Sequence, residues 1–290
     1  MWLRNLREIF KYTSDKEKRR LKPAATMDKL KIGVVPYMNA KPLIYGLQEK
    51  ADKIDIVYGV PSVLPEMLEN DELDVISMPS AGYFRSTGYE IIPGSAIASN
   101  GLVESVKLFI KVPSMDKIRT VALDKDSLTS CVLTKIILRK KYSLNPEYIV
   151  LDDKRKIYNE YADAFLVIGD DAMKVREEGF IVLDLGEEWN ELTGLPFVYA
   201  VWVTKSGSKL PGLSKLLIDA KECGMKSLDE IADVEAARLG MEKERCFRYL
   251  KESIKYNLGE QEVRGLKSFY DYALEMGEVK DGVKIEFYNE

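Results

Sequence analysis

The sequence predicts an α/β protein of two lobes, each a mostly parallel sheet flanked by helices. Its 290 residues are enough for two cores. Short apolar strands alternate with helices in two separate series, which is typical of parallel sheets. Two extended segments, 106–112 and 196–203, bracket the second series, and we interpret them as two hinge crossings. One larger doubly wound domain is the alternative.

The first series begins with a buried strand over residues 31–36 and a helix over 40–50, which has a proline near its start. A second strand is predicted over 54–58 and a helix over 62–70. A third strand spans 73–78 and is followed by small polar residues and another helix. This order gives the first lobe its βα units.

The second series repeats the same logic. It starts with a strand over residues 120–123 and a helix over 130–142, and continues with strands over 148–151, 164–168 and 181–183. Strands alternating with helices again indicate a mostly parallel sheet.

The carboxyl-terminal part, residues 213–276, is predicted to be helical, with a capping box over Ser227–Glu230 and a break at Gly259. We therefore expect a first lobe of residues 29–110 and 204–290, a second lobe of 111–203, and a substrate cleft between them. Residues 1–28 form a basic extension, for which a flexible tail is the favoured interpretation and a short amphipathic face the alternative.

Charge and composition exclude several functions. The formal charge of -4 argues against a nucleic-acid partner, which requires a basic face. No stretch is long and apolar enough to cross a bilayer, and the extension lacks the apolar core of a secretory signal. Three cysteines without a CxxC pair fit a reducing compartment. We expect a cytoplasmic protein, either a monomer or a homodimer.

The chain contains no histidine. This excludes Ser-His-Asp and Cys-His catalysis and histidine general bases, and most zinc or iron sites with them. Neither a GxGxxG nor a Walker-type loop is present, so dinucleotide and nucleotide sites have no support. We expect neither a metal nor a cofactor.

The turns after the predicted strands carry polar groups suited to an anionic ligand. In parallel sheets ligands bind beyond the carboxyl ends of strands, where helix amino termini offer free N–H groups. The turns are 37–39, 79–80, 126–130 and 169–170. Ordinary helix capping explains each turn taken singly, so structure and ligand binding both remain open at this point.

Longer strings carry a family resemblance. They are Val34-Val-Pro-Tyr-Met-Asn-Ala-Lys-Pro-Leu43, Ile97-Ala-Ser-Asn-Gly101 with Ser105, Ser127-Leu-Thr-Ser130, Leu166-Val-Ile-Gly-Asp170 and Thr193-Gly-Leu-Pro-Phe-Val-Tyr-Ala-Val-Trp202. In this order the chain resembles the chorismate dehydratases of the futalosine route to menaquinone. Two departures stand out: Leu128 stands where the family usually has arginine, and Leu102 where it usually has proline.

The resemblance implies a type II periplasmic-binding-protein-like fold and the conversion of chorismate to 3-[(1-carboxyvinyl)oxy]benzoate and water. It further implies that Asn39 and Ser105 are catalytic. The expected substrate-binding residues are Tyr37, Ser80, Gly101, Ser127, Thr129, Ser130, Gly169, Asp170 and Gly194.

Three rival functions fit a two-lobed clamp. A plain solute-binding protein would carry an export signal or a lipid-attachment cysteine, which the sequence does not show. The sister enzyme, 1,4-dihydroxy-6-naphthoate synthase, shares the fold but relies on a histidine base. A cytosolic ligand sensor is the third, and only the basic extension hints at it.

Overall fold

The structure is a computed structural model that describes residues 29–152 and 161–290; the predicted basic extension lies outside the described residues. Its strands form two separate five-stranded sheets. Two sheets rule out the alternative of one continuous doubly wound sheet.

The first sheet contains β1 (Leu30–Val34), β2 (Ile54–Tyr58), β3 (Val75–Pro79), β4 (Tyr89–Ser99) and β10 (Phe197–Lys205). Its order is β2-β1-β3-β10-β4. β2 and β3 pair in parallel with β1, whereas β10 lies antiparallel between β3 and β4. Every residue of β3 is buried, as expected of an apolar strand inside a sheet covered on both faces.

The second sheet contains β5 (Val106–Ile110), β6 (Thr120–Asp124), β7 (Glu147–Leu151), β8 (Ala164–Ile168) and β9 (Ile181–Asp184). Its order is β7-β6-β8-β5-β9. β7 and β8 pair in parallel with β6, and β5 runs antiparallel to both β8 and β9. In each sheet one strand opposes the other four, so the prediction of mostly parallel sheets is confirmed.

The chain makes two crossings between the sheets, as predicted, but the two segments interpreted as those crossings are largely strands of the sheets. β5 hydrogen-bonds within the second sheet, and β10 lies inside the first. Extended apolar segments look alike in sequence whether they bridge two sheets or fill one. The chain crosses between the sheets at residues 100–105 and 194–196. We propose that the lobes divide there.

The helices are α1 (Lys41–Ile44), α2 (Leu64–Glu69), α3 (Ser80–Arg85), α4 (Leu128–Lys140), α5 (Gly169–Ala172), α6 (Leu185–Thr193), α7 (Leu213–Lys226), α8 (Leu228–Leu239), α9 (Lys243–Arg248) and α10 (Glu260–Glu275). No helix in the described part of the chain is long and apolar enough to cross a membrane.

Two helix predictions need correction. The segment 40–50 is a short α-helix between two 3-10 stretches, Met38–Ala40 and Tyr45–Lys50. No capping box forms at Ser227, whose side chain makes no capping hydrogen bond to α8. Instead Glu262 accepts a hydrogen bond at 3.0 Å from the backbone N–H of Gly259 at the start of α10. The predicted break at Gly259 is therefore a helix start.

A single large apolar cluster includes residues of both sheets, among them Ile32 and Leu123. At the second crossing, Trp189 packs edge-on against Phe197 with ring centroids 5.2 Å apart, and Phe269 packs the same way on Phe197 at 5.2 Å. Edge-to-face aromatic pairs stabilise such junctions beyond the area they bury. These aromatic contacts tie α6, β10 and α10 together at the second crossing.

Candidate active site

A cavity lies where strand ends of the two sheets face each other. The space between its walls, counted with the open mouth, is about 630 Å³. The residues that line it come from both sheets and from the crossing between them: Val35, Tyr37, Asn39, Pro61, Ser77, Pro79, Ile97, Val103, Ser105, Val106, Asp126, Ser127, Leu128, Thr129, Ser130, Ile168, Gly169, Tyr199 and Ala200.

Seven residues predicted for the site line this one cavity. They are the two expected catalytic residues and five of the expected substrate-binding residues: Tyr37, Asn39, Ser105, Ser127, Thr129, Ser130 and Gly169. All seven follow the end of a strand or precede one at the first crossing. The rule that ligands bind beyond strand ends thus locates them in space.

Two cavity groups are buried without a hydrogen-bond partner. They are the Asn39 side-chain oxygen, Oδ1, and the Ser127 hydroxyl, Oγ. A buried polar atom without a partner costs roughly 1–3 kcal/mol, so such atoms are rare unless a ligand or water satisfies them. Of the other unpartnered atoms in the described residues, those of Ser95, Trp202 and Tyr256 do not line the cavity.

The amino terminus of α4 opens into the cavity through Leu128, Thr129 and Ser130. No side chain caps this helix. The first backbone N–H groups of a helix have no acceptor within it, and the helix dipole favours negative charge there. This wall therefore suits a carboxylate, and no lysine or arginine is among the cavity-lining residues.

Ser105 is held by an unusual backbone. The preceding residue, Glu104, has a φ of 63°, in the left-handed region. Asp184 fixes this conformation because its carboxylate accepts from the backbone N–H of Val103 at 3.0 Å and of Glu104 at 2.7 Å. Burial raises the pKa of Asp184, while these backbone N–H donors lower it. Strain of this kind persists where surrounding contacts impose it.

Tyr249 stands behind Ser105, outside the cavity lining, and its phenol donates a hydrogen bond to the Ser105 hydroxyl at 2.9 Å. Burial raises the pKa of Tyr249. Hydrogen bonds with Ser105 and, more weakly, with the Asn39 amide lower this pKa. The Tyr249 hydroxyl therefore adjoins both expected catalytic residues.

Tyr37 packs against Gly169 across the cleft. A Cβ atom on Gly169 would lie 2.9 Å from the Tyr37 ring, and Gly169 has a φ of 64°. Only glycine satisfies both the close approach and this backbone conformation. The two residues thus help set how near the sheets come to each other.

Among the hydrogen bonds that join the lobes, three lie beside the cavity. The backbone N–H of Met38 donates to Asp170 at 3.0 Å, that of Ala81 to the Thr129 hydroxyl at 3.1 Å, and the Ser62 hydroxyl to Asp126 at 2.6 Å. The last lies at the mouth of the cavity, beside Pro61. These contacts hold the two walls of the cavity together.

Two predicted binding residues with polar side chains do not line the cavity. The hydroxyl of Ser80 donates to the backbone oxygen of Val198 at 2.6 Å, which anchors α3 on β10. Asp170 accepts from Met38 with one oxygen and from the Arg238 guanidinium, at 2.8 Å, with the other. Both side chains are used in structural contacts, and Asp170 joins the lobes.

Two predicted glycines also lie outside the cavity lining. Gly101, with a φ of 96°, turns the chain at the first crossing. Gly194, with a φ of 69°, ends α6, and its backbone N–H donates to Asn190 at 2.7 Å. Glycine is favoured at both places for its backbone freedom.

The sequence interpretation missed Asp184, Tyr199 and Tyr249. Asp184 is the last residue of strand β9, so the strand-end rule applied equally well to it. Tyr199 lies inside β10 and lines the cavity, where its hydroxyl is 3.1 Å from that of Ser99. Tyr249 is 144 positions from its partner, and no local pattern signals it.

Solved structures with this architecture identify the class of fold. A protein of Archaeoglobus fulgidus has a TM-score of 0.69 at 18% identity, covering 87% of this chain and 98% of its own. The alkanesulfonate-binding protein SsuA from Xanthomonas axonopodis pv. citri has a TM-score of 0.68 at 14% identity, covering 90% and 98%. A Candida albicans gene product, described as having the generic periplasmic binding protein fold, scores 0.65 at 14%, covering 91% and 98%. The chain has the periplasmic-binding-protein fold, as predicted.

Sequence comparison identifies the family. Residues 30–275 match the sequence model of a family described as menaquinone biosynthesis. A chorismate dehydratase from Thermus thermophilus is 30% identical over 257 residues, which cover 82% of this chain and 93% of that protein. The chain belongs to the menaquinone biosynthesis family, and the resemblance inferred from its motifs is confirmed.

Proposed function

We propose that this protein is a chorismate dehydratase, a hydro-lyase that acts in the cytoplasm and converts chorismate to 3-[(1-carboxyvinyl)oxy]benzoate and water. The observation that carries the proposal is a cavity between the two sheets with two unpartnered buried polar atoms, the Asn39 side-chain oxygen and the Ser127 hydroxyl, beside an uncapped helix amino terminus. The Thermus relative bears the same activity in its name.

The proposed substrate has two carboxylates and one hydroxyl, and the cavity offers complementary groups. The backbone N–H groups of α4 and the Ser127 hydroxyl are donors for a carboxylate. The Asn39 oxygen is an acceptor and suits the substrate hydroxyl. Ser105 faces the same space and supplies a further hydroxyl donor.

The proposed reaction needs little chemical assistance from the protein. Loss of a ring proton and of the neighbouring hydroxyl makes the ring aromatic, so the reaction is downhill and depends mainly on positioning. We propose that the substrate's own enolpyruvyl carboxylate accepts the ring proton. The hydroxyl departs as water with the proton passed on from that carboxylate, which ends unprotonated as it began, while Asn39 and Ser105 orient the departing oxygen. This route needs no histidine, and the chain has none.

The contacts between the two walls support this route. Hydrogen bonds link the walls beside the cavity, and they would limit the access of solvent to a bound substrate. Exclusion of water strengthens each hydrogen bond made to the developing charge.

The test is to incubate purified full-length protein with chorismate in the presence of a chelator. We expect the carboxyvinyloxy-benzoate product, identified by mass spectrometry and by the appearance of benzoate absorbance. Chorismate recovered unchanged after long incubation with folded protein would contradict the proposal, and tight binding without turnover would indicate a solute-binding protein. Strict dependence on an added metal would contradict the mechanism.

A further inference from the structure

A π-helical turn, Tyr249–Ser253, lies behind the predicted catalytic pair, with Tyr249, Leu250 and Ser253 buried. π-Helical turns are rare and concentrate at functional sites, because they place a side chain where a regular helix would not. Tyr249 is only 1% exposed, and its phenol donates to the Ser105 hydroxyl at 2.9 Å.

A second contact from the same turn reaches the residue before Ser105. The Ser253 hydroxyl donates to the Glu104 carboxylate at 2.8 Å. Glu104 is the residue with the left-handed backbone, so the turn holds the strained residue as well as its neighbour. Two adjacent positions of the first crossing are therefore fixed by one turn from the carboxyl-terminal part of the chain.

The hydrogen bond from Tyr249 determines what Ser105 can do. A serine hydroxyl has one proton and two lone pairs. When a lone pair accepts from the phenol, the serine proton must point elsewhere, and Ser105 lines the cavity. A donor behind a hydroxyl also polarises it and makes it a better donor in turn.

The phenol keeps its proton throughout the working pH range. Burial raises the pKa of Tyr249 above its ordinary value, which favours the neutral, donating form. Tyr249 is thus a constant donor to Ser105.

We propose that Tyr249 is the positioning residue of Ser105: its hydroxyl directs the Ser105 proton into the cavity, toward the departing oxygen of the substrate. The proposal rests on the proposed function and adds the carboxyl-terminal π-helical turn to the active site.

The test is Tyr249→Phe, which removes one oxygen atom and keeps the ring. We expect kcat for chorismate to fall roughly 10- to 100-fold with KM within about twofold of wild type, since the lost contact acts on the departing group. Tyr256→Phe is the matched control: Tyr256 is also buried, but its hydroxyl has no partner and does not line the cavity. It should leave both constants unchanged.

A double variant separates positioning from a general structural role. If Tyr249 acts mainly through Ser105, then Tyr249→Phe should cost far less in the presence of Ser105→Ala than it does alone, with any remaining loss due to its contact with Asn39. Multiplicative losses in the double variant, or wild-type kcat in the single one, would overturn the proposal. Should Tyr249→Phe fail to fold, Ser253→Ala is the second variant, with a loss of about two- to fivefold in kcat expected and an unchanged kcat contradicting the role of the turn.

Failure of this proposal is distinguishable from failure of the proposed function. Turnover by wild type together with normal turnover by Tyr249→Phe overturns the role of Tyr249 alone. No turnover by wild-type protein overturns both.

Discussion

The two ends of the cavity are built differently. At one end the Ser105 hydroxyl accepts a hydrogen bond from Tyr249. The preceding residue, Glu104, has a left-handed backbone conformation that a hydrogen bond to Asp184 holds in place. At the other end α4 begins without a side-chain cap, and the Ser127 hydroxyl has no partner. One end is ordered before any ligand arrives, whereas the other leaves its donors free.

This difference separates two tasks. A group that acts on the reacting atoms must be oriented in advance, because reorientation during the reaction costs rate. A group that binds a carboxylate needs only to be an unpartnered hydrogen-bond donor that is shielded from water. We therefore expect changes at the Ser105 end to lower kcat and changes at the α4 end to raise KM.

The largest effect should come from Asn39→Ala and Ser105→Ala. Loss of a single preorganised group at a reacting centre lowers turnover by about 100- to 1,000-fold. We expect this loss in kcat for each variant, measured by chorismate consumption, with circular dichroism spectra like those of wild type. Wild-type rates in both variants would remove the catalytic assignment.

A second effect concerns the tie between the lobes. Asp170→Asn removes the charge that pairs with Arg238, and we expect the free energy of unfolding to fall by about 1–2 kcal/mol, because the arginine is partly exposed and screened. Chemical denaturation measures this change. The control is Asp219→Asn, which breaks an exposed pair with Lys215 and should change stability by less than about 0.5 kcal/mol. Equal effects would show that Asp170 does not tie the lobes.

A smaller effect is expected at the amino terminus of α4. Ser127→Ala removes a hydroxyl that meets the proposed ligand, so KM should rise about fivefold to tenfold, the equivalent of one hydrogen bond, while kcat stays constant. Ser95→Ala is the matched control, because Ser95 is equally buried and unpartnered but does not line the cavity. A KM that rises in the control and not in Ser127→Ala would place the carboxylate elsewhere.

The smallest effect should be that of pH. Burial raises the pKa of Tyr37, Tyr199 and Tyr249, so these phenols stay neutral as the pH rises. With no histidine in the chain, we expect kcat to vary by less than about twofold between pH 7 and 9.5. A tenfold fall per pH unit above pH 8 would indicate an ionising group in the reaction. Rates regained after return to pH 7 control for unfolding.

Sequence patterns predicted the parts of this molecule that depend on residues close together in the chain. Strand alternation located both sheets, and the strand-end rule located Asn39, Ser127 and Gly169. The same patterns could not tell that β5 and β10 are strands within sheets, because pairing partners are distant in the chain.

Side chains with two possible uses are harder to assign from the sequence. Ser80 and Asp170 have the right chemistry for a ligand, but tertiary contacts engage both. Tyr249 and Asp184 act on the site through residues far away in sequence. Such roles appear only when the fold is known.

The most direct measurement compares Ser105→Ala and Ser127→Ala under single-turnover conditions with saturating enzyme. The two ends predict opposite results: a rate constant no more than about a hundredth of wild type for Ser105→Ala, and a wild-type rate constant for Ser127→Ala. Equal rate constants in the two variants, or the slower step in Ser127→Ala, would contradict the division between an ordered reacting end and an open binding end.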